Sequence, residues 1–245
     1  MITKKELCYK KENGQNIRGL AVLPSNSGKY PTVIFSHGFG SNFQKLQHYS
    51  DRYTKSGIAC IFFDFCGGGP ESVSDGTIKE MTILTEVQDL TEVLFKTEEL
   101  NFVDKENIFL QGESQGGFVS ALVAAAHSEK VKALLLWFPA FVIPDHSRIR
   151  FAEGNHTVFG LELSPYFDVT AMNVNVYEEI TKYQNPVQLI HGDQDVIVPI
   201  SYSQRAVGVY HDASLLTIQG AGHGFNGDDL QTAIDCSLHF IKKHL

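Results

Sequence analysis

The chain has 245 residues, enough for one large α/β domain with a sizeable core. A hydrophobic fraction of 43% and a charged fraction of 20% are those of an ordinary globular protein. Its net charge of −8 argues against broad binding to nucleic acid or to anionic membrane surfaces.

The first residues carry Lys4 and Lys5 but no apolar run after them, so no signal peptide is expected. No stretch is apolar enough to cross a bilayer, and the expected compartment is the cytoplasm. Residues 17–23 read as an early strand. Residues 31–36 (PTVIFS) form a buried strand that ends at His37-Gly38. Asn42 caps an expected helix that runs to about Lys55 and stops at Gly57. Residues 58–63 are the next strand, followed by the loop 64–69. Residues 80–100 place Leu84, Val87, Leu90, Leu94 and Phe95 at helical spacing. A strand at 107–111 leads into an alanine-rich helix at 115–127. Further strands are expected at 131–138, 187–190 and 214–218, and further helices at 201–208 and 228–244.

Strands alternating with helices imply an α/β fold with a mainly parallel sheet covered on both faces. One segment breaks the rhythm. Residues 140–184 are too long for a simple crossover and read as a small lid inserted into a single domain spanning 1–245. The cysteines Cys8, Cys60, Cys66 and Cys236 form no C-x-x-C pair and read as free thiols, with Cys60 in the core and Cys66 in a more exposed glycine loop.

Gly112-Glu113-Ser114-Gln115-Gly116-Gly117 joins a strand to a helix, the setting of a G-x-S-x-G nucleophile turn. Such a turn lifts the serine hydroxyl above the sheet, and its glycines remove side chains that would strike neighbouring backbone. The hydroxyl needs a base, and the base needs a group to fix its tautomer. Both should come from loops at the carboxyl ends of later strands. His191-Gly192-Asp193-Gln194-Asp195 follows one strand, and Gly220-Ala221-Gly222-His223-Gly224-Phe225 follows the next. His223 alone follows the last strand in a glycine-flanked loop. His37 and His191 end strands and read as structural, bonded to loop backbone. A metal cluster of His191, Asp193 and Asp195 finds no further ligand in the adjoining apolar run.

Four motifs in this order, HGFG at 37–40, GESQGG at 112–117, HGDQDVIVP at 191–199 and GAGHGF at 220–225, resemble the α/β-hydrolase superfamily over nearly the whole chain. Within it, the lidded bacterial carboxylesterases of the cinnamoyl (feruloyl) type look most similar. The resemblance implies Ser114 as nucleophile, His223 as base and Asp195, the second aspartate of HGDQD, as the acid. Asp193 is the local competitor, with loop bonding as its other role. Some relatives carry the acid after the preceding strand, where Asp145 would serve. The oxyanion donors are the N–H groups of Gln115, which follows the nucleophile, and by resemblance Phe39. Many members have a D-x-x-G-x-G-x-S loop; here Asp64, Gly67, Gly69 and Ser72 form a looser version.

The expected reaction is hydrolysis of a small-molecule carboxylic ester through an acyl-serine, without metal or organic cofactor. The resemblance is compatible with a homodimer. The lid aromatics Phe141, Phe151, Phe159, Tyr166, Phe167, Tyr177 and Tyr183 suit an apolar or aromatic acyl group, or else form the lid's own core. Two rival readings stay open. A serine aminopeptidase would need acids for a substrate amino group, for which Glu153, Glu162 and Asp168 are available. A non-catalytic binding relative would share the fold alone.

Overall fold

A computed structural model describes residues 2–24 and 27–245. Eight strands form one sheet in the order β1-β2-β4-β3-β5-β6-β9-β10. They are β1 (Thr3–Lys10), β2 (Asn16–Leu23), β3 (Tyr30–Ser36), β4 (Ala59–Phe63), β5 (Val103–Glu113), β6 (Ala133–Trp137), β9 (Val187–Gly192) and β10 (Ala213–Ile218). From β4 to β10 across the sheet every pairing is parallel; β2 joins β4 and β1 antiparallel. This is the α/β-hydrolase fold, with a mostly parallel sheet flanked by helices.

The central strands are apolar at successive positions because both faces are covered. In β3, Ile34 belongs to the core on one face, while Val33 and Phe35 belong to the other. The first face is covered by α2 (Ile83–Glu98), α3 (Gln115–Ala126) and α7 (Ser201–Val207). The second is covered by α1 (Ser50–Lys55) and α8 (Gly227–Lys243). Among the described residues, no helix is long and apolar enough to cross a membrane.

Two local expectations are corrected, and one strand went unpredicted. The helix expected over 42–55 is broken into two 3-10 turns, Phe43–Lys45 and Gln47–Tyr49, ahead of the short α1. Asn42 does cap the first turn, its side chain accepting from Lys45 N–H. In α2, which opens on a Thr82–Thr85 capping box, the buried stripe is rotated: Ile83 is buried and Leu84 exposed. The rotation turns two acids, Glu86 and Asp89, inward. Strand β1 has no apolar alternation to reveal it; it is an exposed edge strand rich in lysine, held by backbone pairing with β2 and by Tyr9.

The segment 140–184 leaves the sheet after β6. It holds α4 (Ile143–Glu153), a hairpin of β7 (Thr157–Val158) and β8 (Leu161–Glu162), α5 (Pro165–Ala171) and α6 (Val176–Glu179). Phe141, Phe167, Ile180 and Tyr183 are buried in the same core as α2 and α3. The insertion therefore shares the main core and does not build one of its own.

Candidate active site

Ser114 occupies the apex of the turn between β5 and α3, at φ 50° and ψ −117°. A positive φ is rare for a residue with a side chain, and packing around the turn sustains it. Ser114 N–H donates to the Trp137 carbonyl at 3.0 Å, and its own carbonyl accepts from Phe118 N–H at 3.1 Å and Ala140 N–H at 2.9 Å. The flanking glycines answer to close backbone approach. A Cβ on Gly112 would stand 2.3 Å from the Gly116 carbonyl oxygen, and one on Gly116 2.3 Å from that of Ser36.

The loops after β9 and β10 bring Asp195 and His223 to this turn. His223 Nε2 lies 2.9 Å from Ser114 Oγ, and Nδ1 lies 2.7 Å from Asp195 Oδ2. A carboxylate only accepts, so Nδ1 carries the proton and the lone pair of Nε2 faces the serine hydroxyl. Asp195 is saturated with donors. Its Oδ1 accepts the N–H groups of Ile197 at 2.9 Å and Val198 at 2.8 Å, and Oδ2 also faces His191 Nε2 at 3.2 Å. Burial alone would raise its pKa, but the hydrogen bonds from His191, His223 and Val198 outweigh that and hold the carboxyl well below the usual carboxylate range.

His191 has a larger part than loop bracing. It is fully buried, with Nε2 2.9 Å from the Val198 carbonyl and Nδ1 2.7 Å from Ser203 Oγ. Both neighbours of Nε2 accept, so Nε2 is protonated and Nδ1 accepts from the Ser203 hydroxyl. The i, i+4 spacing of His191 and Asp195 was the available signal. Asp193 turns elsewhere, accepting Gly220 N–H at 2.7 Å, and so ties the two site loops together. Asp145 lies on α4, where it accepts from Tyr202 Oη at 2.8 Å and pairs with Arg148.

Phe39, Ser114 and Gln115 line one cavity of ≈ 80 Å³. Among the described residues, neither the Phe39 nor the Gln115 N–H is taken by a backbone carbonyl, so both are available to a ligand oxygen. His37 holds the Phe39 loop: Nδ1 donates to the Gly38 carbonyl at 2.8 Å, and Nε2 accepts Phe65 N–H at 3.2 Å. Burial outweighs the opposing pull of the Gly38 carbonyl and Asp64, lowers its pKa and keeps it neutral. The glycine loop also abuts this site, with Gly40 N–H donating to the Gly68 carbonyl at 3.1 Å. Asp64 braces both loops through Phe43 N–H at 2.6 Å and Val73 N–H at 2.7 Å. Cys66 is buried there, and burial, with the charge of Asp89 beside it, pushes its thiol up to about 12. The exposure expected for it is corrected: Asp89 accepts Cys66 N–H and folds that residue inward.

Two acids adjoin the site that spacing alone did not single out. Glu86 on α2 is buried and accepts from Gln115 Nε2 at 2.8 Å; burial pushes its pKa up to about 8. Glu113 accepts from Tyr49 Oη at 2.5 Å, and burial pushes it up to about 7 against the pull of Tyr49 and His223.

The cavity is mainly apolar, walled by Val142, Val158, Phe159, Leu163, Phe167 and Ile197 among others. Of its lining residues, His146 and Arg150 are the ones that carry ionisable side chains of either charge. The three acids considered for a substrate amino group do not gather in it. Glu153 is exposed, Glu162 is exposed and paired with Lys79, and Asp168 is buried against Arg150 and His156. Of the lid aromatics, Phe159 and Phe167 reach the cavity, Phe141 and Tyr183 are core, and Phe151 and Tyr166 are exposed. Tyr177 stacks under the Arg205 guanidinium at 3.8 Å.

A family model described as "Serine aminopeptidase, S33" matches residues 29–161. The chain belongs to this family. The matched stretch of this member holds the Phe39 loop and the Ser114 turn and ends within the insertion, ahead of Asp195 and His223. The chain is also similar to the solved structure of Est1E from Butyrivibrio proteoclasticus with ferulic acid bound. That likeness has a TM-score of 0.88 at 26% identity and covers 96% of this chain and 98% of the other. Putative esterase/lipase 2 of Mycoplasma pneumoniae is 27% identical over 225 residues, 88% of this chain and 78% of that protein. An uncharacterized 31.7 kDa protein of Escherichia coli, from the traX-finO intergenic region, is 30% identical over 139 residues. Those residues are 56% of this chain and 43% of the E. coli protein, so the match spans less than half of that relative.

Proposed function

We propose that this protein is a serine esterase that hydrolyses carboxylic esters through an acyl-Ser114 intermediate. The observation that carries the reading is the continuous chain of hydrogen bonds Ser114–His223–Asp195, at 2.9 and 2.7 Å. Ser114 Oγ attacks the ester carbonyl carbon as His223 Nε2 takes the hydroxyl proton. The carbonyl oxygen becomes an oxyanion held by the N–H groups of Phe39 and Gln115. The C–O bond to the alcohol then breaks, and His223 returns the proton to the departing oxygen. Water, activated by the same imidazole, attacks the acyl-enzyme and releases the acid and free Ser114. Asp195, ionised at neutral pH, stabilises the imidazolium formed in each half.

The cavity favours an ester over an aminoacyl amide. Among the described residues no carboxylate lines it to receive a substrate ammonium group. Its apolar walls and small volume suit an acyl group of small to medium size, apolar or aromatic. The ferulic acid held by Est1E and the esterase name of the Mycoplasma relative support the same choice. A fluorophosphonate should label Ser114 stoichiometrically. Ser114→Ala should abolish the label and lower ester turnover by ~10⁴-fold or more. Labelling that persists in the Ala variant would move the nucleophile elsewhere. Labelling of the wild type without turnover of any ester in an acyl series would leave the nucleophile and remove the esterase.

A further inference from the structure

Residue 159 breaks two local rules at once. Phe159 and Gly160 are the two linking residues of the hairpin β7–β8, and both have positive φ, 47° and 79°. Two-residue hairpin loops of this kind favour Asn, Asp or Gly at the first position, because an L side chain is strained there. A phenylalanine is among the worst choices for that conformation. Its ring is also 72% exposed, so burial in the core does not compensate the strain. Strain of this sort, unsupported by core packing, gathers at sites where a side chain is needed for function.

The surroundings name the function. The Phe159 ring forms part of the cavity above Ser114. Its centroid is 6.2 Å from that of Phe39, the residue proposed above as an oxyanion donor, with the two rings tilted by 50°. The same hairpin is seated on that loop: Leu161 Cδ1 lies 3.1 Å from the point where a Cβ on Gly40 would stand. On the acid loop, Ile197 lines the same cavity and is itself 37% exposed. An apolar ester entering here would meet Phe159 and Ile197 at the solvent end and cover the surface that each now shows to water.

We propose that Phe159 is a specificity-determining residue, whose ring closes over the apolar or aromatic acyl portion of a substrate held at Ser114 and is retained for that contact against its cost to the hairpin. The proposal rests on the serine-esterase reading, and its test must separate the two. Phosphonylation of Ser114 requires the nucleophile but no ester turnover. The rates of labelling by a benzyl- and a methyl-substituted fluorophosphonate, taken as a ratio, therefore report acyl-pocket contacts directly. Phe159→Asn should lower the benzyl-to-methyl ratio about tenfold, the loss of roughly two buried methylenes' worth of contact. Phe159→Tyr should retain it. The Asn variant should also melt about 2–4 °C higher, since Asn tolerates the left-handed conformation and exposes no ring. An unchanged ratio would overturn the proposal, and so would a lower melting temperature, which would make the ring structural. Wild type that is labelled but inert to all esters sinks the esterase reading alone, and the ratio still decides Phe159. Wild type that resists both probes removes the nucleophile and the proposal together.

Discussion

Asp195 and Asp193 differ by two positions and by everything around them. Asp195 gathers N–H groups from His223, His191, Ile197 and Val198, whereas Asp193 receives Gly220 N–H across the loop. Asn at 195 would still meet the imidazole, but its amide offers N–H as readily as C=O, favours the wrong tautomer and cannot stabilise imidazolium. Asp195→Asn should therefore cost about 10³–10⁴ in kcat for an ester substrate. Asp193→Asn keeps an oxygen for Gly220 and should cost far less. Steady-state kinetics of the two variants decides the matter, and a crippled Asp193→Asn beside an active Asp195→Asn would reverse the assignment.

At the scale of elements, the insertion is held by a buried polar knot. Asp168 on α5 accepts from Arg150 Nε at 3.0 Å and Nη2 at 2.6 Å, and its other oxygen pairs with His156 Nδ1 at 2.7 Å. Ser147 Oγ accepts from Arg150 Nη2 at 2.8 Å. The knot ties α4 to α5 and to the start of the hairpin, the three pieces that wall the cavity. Asp168→Ala would leave the Arg150 guanidinium, 16% exposed, without its partner. Removing one member of such a pair should destabilise the protein by about 3 kcal/mol. A lower urea midpoint with an unchanged slope would register this; an unchanged midpoint would mean that apolar packing alone holds the insertion. A point change is the better probe here because excising 140–184 would strip Phe141, Phe167 and Tyr183 from the main core.

For the whole molecule, buried acids set the response to pH. Glu86 keeps its proton up to about pH 8 when folded, chiefly because it is desolvated, whereas an unfolded glutamate ionises near 4.3, roughly the usual value. Between those points the folded state binds more protons. The stability from this group is complete below the unfolded pKa and lost as pH rises to about 8. Glu113 acts in the same sense up to about 7. Asp195 acts oppositely: its contribution is present above the unfolded pKa and is lost only as strong acid reaches its depressed folded pKa. Stability should thus fall from pH 5 to pH 8, with Glu86 supplying a slope of up to about 1.4 kcal/mol per pH unit. Glu86→Gln, which retains an acceptor for Gln115 Nε2, should flatten that fall in denaturant titrations across the range. An unaltered slope would mean that Glu86 is ionised in the folded protein.

What the amino-acid sequence determined alone is what depends on neighbours along the chain. The apolar runs at β3, β4 and β6 declare strands buried on both faces. Gly112 and Gly116 declare a turn that admits no side chains, and the glycines around His223 mark its loop after the last strand. These follow from local sterics and periodicity, so they are legible without a fold. Tertiary structure decided the rest, because the deciding partner lies far along the chain. The inward turn of Glu86 depends on Gln115, and the burial of Cys66 on Asp89. Spacing left Asp193 and Asp195 as alternatives; in space His223 meets Asp195 and Gly220 meets Asp193. The lid aromatics are alike in sequence, yet Tyr183 is core, Tyr166 faces water and Phe159 stands over Ser114. Burial is a property of the packed assembly, and no window of sequence contains it.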